Sequence, residues 1–243
     1  MQNEINIVIP SSGRSKFLTT NIKNQIIIVE DIEYEKYKEN FDCEIVSHPK
    51  FKNLAQKRNW IVQKFENVFM VDDDVLNFVK VYDTLKRQDR NCTPDEIYNI
   101  IQENYQRAKD LNVKLFGFSA SPVPMQFNSL KPINFNVNMC GGAYGIIKSD
   151  LKFNENTTAC DSHWIQLLNL YLYKRNLVDR RYSLEFQETF FTSGGQALKR
   201  TMQSEKKDTL FLKKCFGDVV KLRKQSRNKQ NNKYQRFIDY GSI

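Results

Sequence analysis

The sequence predicts an α/β fold with a mostly parallel central sheet flanked by helices. In the first third of the 243 residues, short apolar runs alternate with segments of helical periodicity. This alternation indicates buried parallel strands joined by helical crossovers. The last of these runs ends on three consecutive aspartates, Asp72, Asp73 and Asp74. Because ligands of open α/β sheets bind at the carboxyl ends of strands, the aspartates mark the expected site.

Four strands and three helices are expected before residue 76. Apolar runs predict strands at residues 5–10, 25–30, 43–48 and 68–72, and the segments 15–24, 33–40 and 53–65 are expected to be helical. In the last segment one helical face carries Leu54, Ile61, Val62 and Phe65. Repeated units of this kind connect parallel strands through right-handed crossovers.

Beyond the aspartates two further helices are expected, and the first opens with a capping box. Thr93 and Glu96 form this box, with Pro94 at the first helical position. Strands are expected at residues 115–120 and 139–147, with a loop at 121–138 between them, and a second helix is expected to begin near residue 161. The chain after residue 221 is polar and is expected to be mobile without a ligand.

Composition excludes several classes of protein. Apolar residues make up 40% of the chain, which is enough for a core. The sequence contains no run of eighteen apolar residues, so no membrane-spanning helix is expected. The first residues lack the basic and apolar regions of a signal peptide. The five cysteines are odd in number and form no Cys-x-x-Cys pair, so neither a disulfide framework nor a zinc site is expected. A reducing cytoplasm, that of the host if the protein is viral, is the expected compartment.

The positive charge is concentrated at the end of the chain. Residues 199–243 hold 13 Lys and Arg against 4 Asp and Glu, an excess equal to the whole net charge of +9. A solvated tail is one interpretation, and a surface that binds a phosphate backbone is the other. The candidate DNA-binding residues are Lys221, Arg223, Lys224, Arg227 and Lys229.

The aspartate triplet is the strongest candidate site. No basic residue lies within five positions of it, so local salt bridges do not explain three adjacent anions. Mg²⁺ and Mn²⁺ prefer one or two carboxylates together with the phosphates of a bound nucleotide. The sequence therefore predicts a divalent metal at the triplet, and a polar turn after a strand is the alternative.

Two basic segments adjoin the expected sheet edge. The first strand ends in Pro10 and Ser11, and the small-residue turn that follows leads to Arg14. Such a turn lets backbone N–H groups approach a ligand, although the turn matches neither a Walker loop nor a dinucleotide fingerprint. Arg58, in the helix before the aspartate strand, is placed to reach a phosphate or a base in the same cleft.

Glycines are dense in two later segments. Gly141 and Gly142 lie in an expected strand, where glycine costs about 0.5–1 kcal/mol relative to alanine. This cost indicates either close approach of a ligand or second backbone, or a structural bulge. A second Gly-Gly pair precedes Lys199 and Arg200, and it is either a lid over a diphosphate or an ordinary turn.

The start of the later helix carries two candidate catalytic groups. Asp161 is either an N-cap, worth about 1 kcal/mol, or a general base that points into the cleft. His163, two residues further on, could be a base, a metal ligand or a surface residue.

These segments, taken in order, resemble the GT-A glycosyltransferases, and more narrowly the TET/JBP-associated glycosyltransferases. That group is tied to sugar addition on hydroxymethylated pyrimidines in phage and kinetoplastid DNA. The resemblance covers roughly residues 5–200. It rests on the blocks at residues 9–14, 58–59, 71–74, 141–146, 161 and 194–200.

The resemblance implies a role for each block. Asp72 and Asp74 would hold a Mn²⁺ or Mg²⁺ that bridges the diphosphate of the sugar nucleotide, and Asp161 would be the base of an inverting enzyme. The acidic pair usual at this point reads Cys160-Asp161 here, which leaves one carboxylate. The residues expected to contact the donor nucleotide-sugar are Pro10, Ser11, Arg14, Arg58, Asp72, Asp73, Gly141, Gly142 and Arg200.

We therefore expect a metal-dependent glycosyltransferase of a virus or its host. It would move a sugar from a UDP-sugar to the 5-hydroxymethyl group of a modified pyrimidine in double-stranded DNA. A GT-A domain is expected at residues 1–220, with a nucleotide-sugar half at 1–76 and an acceptor half at 77–220, followed by a basic tail at 221–243. The alternatives are a glycosyltransferase with a lipid, protein or saccharide acceptor, a nucleotidyltransferase, and a non-catalytic DNA-binding protein.

Overall fold

A computed structural model describes residues 4–239 apart from 17, 19, 84–85, 159, 187–200 and 223–235. Its main feature is a nine-stranded mixed sheet with helices packed on both faces. The strands of this sheet are β1 (Asn6–Pro10), β2 (Gln25–Glu30), β3 (Glu44–His48), β4 (Val68–Val71), β5 (Val75–Lys80), β6 (Leu115–Ser119), β7 (Ile133–Phe135), β8 (Met139–Ile146) and β9 (Leu177–Phe186).

Five α-helices accompany the sheet in the described chain. They are α1 (Tyr34–Lys38), α2 (Leu54–Phe65), α3 (Pro94–Asp110), α4 (Asp161–Tyr173) and α5 (Met202–Phe216). Asn53 caps α2 by accepting from the backbone N–H of Gln56, and the predicted capping box of Thr93 and Glu96 opens α3. Four short 3₁₀ segments complete the helical elements, at Asp31–Glu33, Arg87–Arg90, Pro124–Gln126 and Gly217–Val219.

The strand order is β3-β2-β1-β4-β8-β6-β9-β5, with β7 also paired to β9. The pairings β1–β2, β1–β4, β2–β3 and β6–β9 are parallel. The pairings β4–β8, β6–β8, β5–β9 and β7–β9 are antiparallel. The α/β class with a helix-flanked sheet is confirmed, and the expected parallel pairing holds throughout β1–β4. No α-helix lies between β6 and β8, and strands joined without a helical crossover can pair antiparallel.

Alternation along β4 shows how the sheet divides the core. Val68 and Met70 pack in the cluster that includes residues of α2 and α4, whereas Phe69 and Val71 pack in the cluster that includes residues of α3. Successive strand side chains point to opposite faces. The next residue, Asp72, therefore projects towards the face of α2 and α4.

The segment 15–24 is not helical in its described residues, which form turns and irregular chain. Thr20 explains the difference, because its hydroxyl lies 2.9 Å from the carbonyl oxygen of Asp72 and 3.0 Å from that of Val75. Threonine side chains that bond to backbone compete with helix formation. The helix expected at 33–40 is also shorter, since only Tyr34–Lys38 is α-helical.

The C-terminal part of the chain contains structure that the sequence did not predict. Helix α5 packs on the first turns of α4, where Trp164 stacks on Phe211 with ring centroids 5.7 Å apart. The strands β10 (Val220–Leu222) and β11 (Arg236–Ile238) form an antiparallel pair, and Val220 is buried. The expected boundary between residues 220 and 221 therefore falls inside β10, and the backbone N–H of Asp239 donates to the carbonyl of Val219 at 2.8 Å.

Among the helices of the described chain, none combines the length and the apolar character needed to cross a membrane.

Candidate active site

The carboxyl ends of β1 to β4 lie at one edge of the sheet, because these four strands run parallel. Ser11 follows β1 and the aspartate triplet follows β4, so both reach this edge. The carboxyl edge of parallel strands is where α/β proteins bind ligands. The expected location of the site is consistent with this topology.

Asp72 is fixed from several directions. Its backbone N–H donates to the carbonyl of Gly142 at 2.7 Å. Its Oδ1 accepts from Nη2 of Arg58 at 2.6 Å, whereas its Oδ2 accepts no hydrogen bond from a described residue. Asp72 therefore keeps one carboxylate oxygen for a ligand.

Asp161 is the first residue of α4 and not its N-cap. Cys160 occupies the cap position without a side-chain cap bond and is fully buried. The carboxylate of Asp161 pairs with Nη1 of Arg58. The N-cap interpretation of Asp161 is therefore wrong, because the side chain turns to an arginine of α2.

Arg58 joins the two carboxylates. Its side chain is 3% exposed, and its guanidinium carbon lies 5.7 Å from the ring centroids of both Tyr144 and Phe153. A planar guanidinium can hold two carboxylates and stack on aromatic rings at once. Arg58 thus connects α2 to the end of β4 and to the start of α4.

Asp73 belongs to a separate network that fixes the loop after β1. Its carboxylate accepts from the Ser11 hydroxyl at 2.7 Å and pairs with Arg14 at 3.0 Å. The Tyr37 hydroxyl lies 2.8 Å from that of Ser11 and accepts from the backbone N–H of Arg14 at 2.9 Å. Lys57 donates to the Ser11 carbonyl at 2.7 Å. The middle aspartate therefore holds the loop that is expected to contact the donor.

No basic residue lies within five positions of the aspartate triplet in the sequence, and segments elsewhere in the chain supply its cationic partners. Arg14 and Arg58 pair with Asp73 and Asp72 across 59 and 14 positions of the chain. Two of the three aspartates thus have cationic partners of the protein's own. Asp74 makes no hydrogen bond or ion pair to another described residue.

The electrostatics of the site still favour an added cation. Burial, together with the neighbouring carboxylates of Asp74, Asp161 and Asp73, raises the pKa of Asp72 to about 7 against the opposing effect of Arg58. Burial also raises the pKa values of Asp73 and Asp74. Carboxylates crowded in a buried site are stabilised in their charged form by a nearby positive charge.

The donor set at this position fits a divalent metal held partly by a ligand. Asp72 Oδ2 and the carboxylate of Asp74 are hard oxygen donors not engaged by other described residues, and Mg²⁺ commonly takes one or two carboxylates together with phosphate oxygens. The described residues form no cluster of three or more His, Cys, Asp or Glu that could hold a metal without further ligands. A ligand role for His163 stays a prediction.

The glycines of β8 are explained by packing against side chains. A Cβ on Gly142 would lie 2.4 Å from Cε1 of Phe186, and one on Gly141 would lie 2.8 Å from Oγ of Ser162. The close approach is therefore made by neighbouring side chains. The pairing of β6 with β8 also shifts register between Gly117–Tyr144 and Ser119–Met139, so the two glycines lie at an irregularity of the kind that the bulge alternative predicted. A donor contact of Gly141 and Gly142 stays a prediction.

Gly142→Ala is expected to destabilise the fold by about 1–3 kcal/mol, since an added methyl would overlap the ring of Phe186. Denaturant unfolding of Gly142→Ala, Phe186→Leu and the double variant measures this. If packing alone requires glycine, Phe186→Leu restores much of the stability lost in Gly142→Ala. Additive losses would contradict the packing explanation.

The remaining site predictions have mixed outcomes. Pro10 and Ser11 are buried at the sheet edge, and their donor contacts stay predictions. Arg200 lies outside the described residues, as do Arg223, Lys224, Arg227 and Lys229. Lys221 is described, and its Nζ pairs with Asp239 at 2.5 Å.

Sequence reasoning missed three side chains that build the site. Tyr37 and Thr20 position the loop and the triplet through their hydroxyls, and Tyr144 packs against Arg58. Tyr144 was part of the glycine-rich block, but no pattern distinguished its ring. Hydroxyl contacts between distant segments leave no periodic signal in the chain.

The α/β sheet thus carries a carboxylate cluster beside a short loop at its carboxyl edge, the edge at which folds of this class bind ligands. The sequence profile of the TET-associated glycosyltransferases matches residues 5–170. The chain belongs to this glycosyltransferase family.

Solved structures give weaker similarities. S. aureus TarS 1-349 aligns with a TM-score of 0.47 and 11% identity over 74% of this chain and 59% of that one. A CMP:2-keto-3-deoxy-manno-octonic acid synthetase complexed with CTP aligns with a TM-score of 0.42 and 11% identity over 87% and 100%. A197 from STIV gives a TM-score of 0.37 and 11% identity over 77% and 87%. This chain thus spans less than two thirds of the TarS fragment, and no curated protein matches it.

Proposed function

We propose that this chain transfers a sugar from a UDP-sugar to the 5-hydroxymethyl group of a modified pyrimidine in DNA, as part of viral DNA hypermodification in a host cytoplasm. The observation that carries the proposal is the pairing of Asp72 and Asp161 with one arginine at the carboxyl edge of the sheet. This pairing places a donor-side carboxylate and a candidate base in one small region.

The loop after β1 is suited to a nucleotide. Arg14 is partly exposed beside Asp73, and Gly13 adopts a φ of +70° that favours glycine. The loop is held by Asp73, Tyr37 and Lys57, so it is ordered before a donor binds. Preorganisation of this kind lowers the entropic cost of binding.

A divalent cation held by Asp72 and Asp74 would neutralise the charge on the departing diphosphate. The protein's own part is to keep Asp72 Oδ2 and Asp74 unengaged by other described side chains. The ion pair of Asp73 with Arg14 directs the middle carboxylate away from this task.

Asp161 is placed to act as the base. In the proposed transfer, the acceptor hydroxyl oxygen bonds to the anomeric carbon, and the bond from that carbon to the diphosphate oxygen breaks with its electron pair leaving on UDP. The hydroxyl proton passes to Asp161. Arg58 Nη1 orients Oδ2 of Asp161, and Oδ1 accepts no bond from a described residue.

A basic surface beside the site supports a DNA acceptor. Helix α5 exposes Lys206, Lys207, Lys213 and Lys214, whereas its acidic residues Glu205 and Asp208 are buried. Lys213 pairs with the exposed Asp218 at 3.6 Å, an interaction that solvent screens strongly. Through Phe211 and Phe216, the helix that carries these lysines packs on Trp164 of α4, the helix that begins at Asp161. Clustered lysines on one face bind phosphates by releasing counterions.

Replacing these four lysines with glutamine is expected to lower the slope of log affinity for DNA against log salt by about 3 units, at roughly 0.9 per phosphate contact. Fluorescence anisotropy with a labelled duplex measures the slope. A matched control replaces four exposed lysines of α1, α2 and α3, namely Lys36, Lys38, Lys64 and Lys109. Equal slopes in both quadruple variants would show that α5 is only a solvated face.

The function itself is tested by product analysis. The protein is incubated with Mn²⁺, a panel of UDP-sugars and either hydroxymethylated or unmodified duplex DNA, and the digested nucleosides are weighed by mass spectrometry. The expected product is a nucleoside heavier by one sugar residue, formed only from the hydroxymethylated duplex. Transfer to a lipid, protein or saccharide acceptor in parallel reactions, with none to DNA, would overturn the acceptor assignment.

A further inference from the structure

Arg58 is more deeply buried than a donor-contacting residue needs to be. Its side chain is 3% exposed, and its two terminal nitrogens each bond to a carboxylate of the protein. The family resemblance implies that this arginine contacts the nucleotide. The geometry leaves it little surface with which to do so.

The two carboxylates held by Arg58 come from separate elements. Asp72 directly follows β4 and Asp161 begins α4, 89 positions later in the chain. One rigid, planar group therefore fixes the distance and orientation between them, since its two terminal nitrogens donate in a fixed geometry to one oxygen of each carboxylate. The rings of Tyr144 and Phe153, each 5.7 Å from the guanidinium carbon, hold the plane of the group.

Two other polar atoms at this position make no hydrogen bond within the described chain. Nε of Arg58 and the Tyr144 hydroxyl are both buried without a hydrogen-bond partner. Buried unsatisfied groups of this kind are destabilising. The position of Arg58 thus lets its two terminal nitrogens bond to carboxylates and leaves Nε without a hydrogen bond.

We propose that Arg58 is a positioning residue that holds Asp72 and Asp161 in register with each other, and that it does not bind the donor. The inference rests on the proposed function, in which Asp72 serves the donor side and Asp161 the acceptor. Misplacing one reacting group by about 1 Å commonly lowers a rate by about a hundredfold.

The kinetic test compares turnover with donor affinity. In Arg58→Gln, kcat is expected to fall by about a hundredfold, whereas the Kd of UDP measured by calorimetry changes by less than about threefold. Arg58→Lys keeps the buried charge but loses the fork, so it should fold and should still lose most of kcat. A matched control is Arg181→Gln, which breaks an ion pair of 2.7 Å to the fully buried Asp179 away from the site. In that control kcat at a permissive temperature should be unchanged.

Two kinetic outcomes would overturn the proposal. A rise in the Kd of UDP that matches the fall in kcat/KM would make Arg58 a donor contact. An unchanged kcat in Arg58→Lys would make the arginine a structural residue only.

A stability cycle tests positioning without any activity. Unfolding midpoints are measured for Arg58→Gln, Asp161→Asn and the double variant, and the losses are expected to be strongly non-additive because the two side chains share one interaction. Additive losses would refute the pairing. If the wild-type protein transfers sugar to no acceptor, the proposed function fails, while this cycle still decides the role of Arg58.

Discussion

Asp74→Asn is expected to lower turnover about a thousandfold while leaving the fold intact. The carboxylate of Asp74 makes no hydrogen bond or ion pair to another described residue, so its loss should not disturb the pairs of Arg58 with Asp72 or of Arg14 with Asp73. A thousandfold fall in rate corresponds to a loss of roughly 4 kcal/mol of transition-state stabilisation, the expected effect of removing a metal ligand that acts in the transition state. The structure makes Asp74 a cleaner probe of the metal than Asp72, which also anchors Arg58.

The measurement is kcat in sugar transfer with saturating donor, together with Mn²⁺ binding by calorimetry in the presence of UDP. Asp110→Asn is the control, because this exposed aspartate at the end of α3 bonds only to Gln106. We expect wild-type activity to disappear in EDTA and to return with added Mn²⁺. Full turnover by Asp74→Asn in EDTA would exclude a metal at the triplet.

Asp161→Asn is expected to lower kcat by a factor of 10² to 10⁴, roughly the contribution of a general base. It should also lower the free energy of unfolding by about 1–3 kcal/mol, because the charged bond to Arg58 is lost. If Asp161 acted only as a helix cap, Asp161→Asn would lower neither kcat nor the free energy of unfolding, since asparagine caps about as well as aspartate. Combined loss of rate and stability thus distinguishes the observed geometry from a cap.

The rate is compared with that of Asp150→Asn, an exposed aspartate beside Tyr173. A pH profile of kcat for both variants shows whether the loss in Asp161→Asn is a loss of base catalysis. If Asp161→Asn were as active as the Asp150→Asn control, another group would have to accept the proton.

The expected placement of the site depended on features that are local in the chain. The four strands before residue 76, the helix α2 and the capping box of α3 all follow from apolar periodicity and cap residues, and all are observed within a residue or two. Because β1 to β4 are parallel, the end of the fourth apolar run had to reach the carboxyl edge. The aspartate triplet was predictable for that reason.

The errors share a physical cause, since each concerns a contact between distant segments. The segment 15–24 has helical periodicity, but Thr20 bonds to the backbone of the triplet turn. Gly142 lies at the irregular pairing of β6 with β8 that the bulge alternative predicted, but no pattern in the sequence indicated the Phe186 ring, 44 positions away, that this glycine also avoids. Residues 220–222 pair as a strand with 236–238, where the sequence predicted a polar tail from residue 221 onwards.

The sequence by itself determined the α/β class, the order of the early elements and the position of the three aspartates, because hydrophobic periodicity and caps act within a few residues. Only the tertiary structure decided what each aspartate does. Asp73 holds the loop after β1, Asp72 shares Arg58 with Asp161, and Asp74 is left without a described partner. These roles depend on how α2, α4 and the first loop pack against the end of β4. Packing between elements sets charge pairing across up to 103 positions, a range over which the order of residues alone carries no signal.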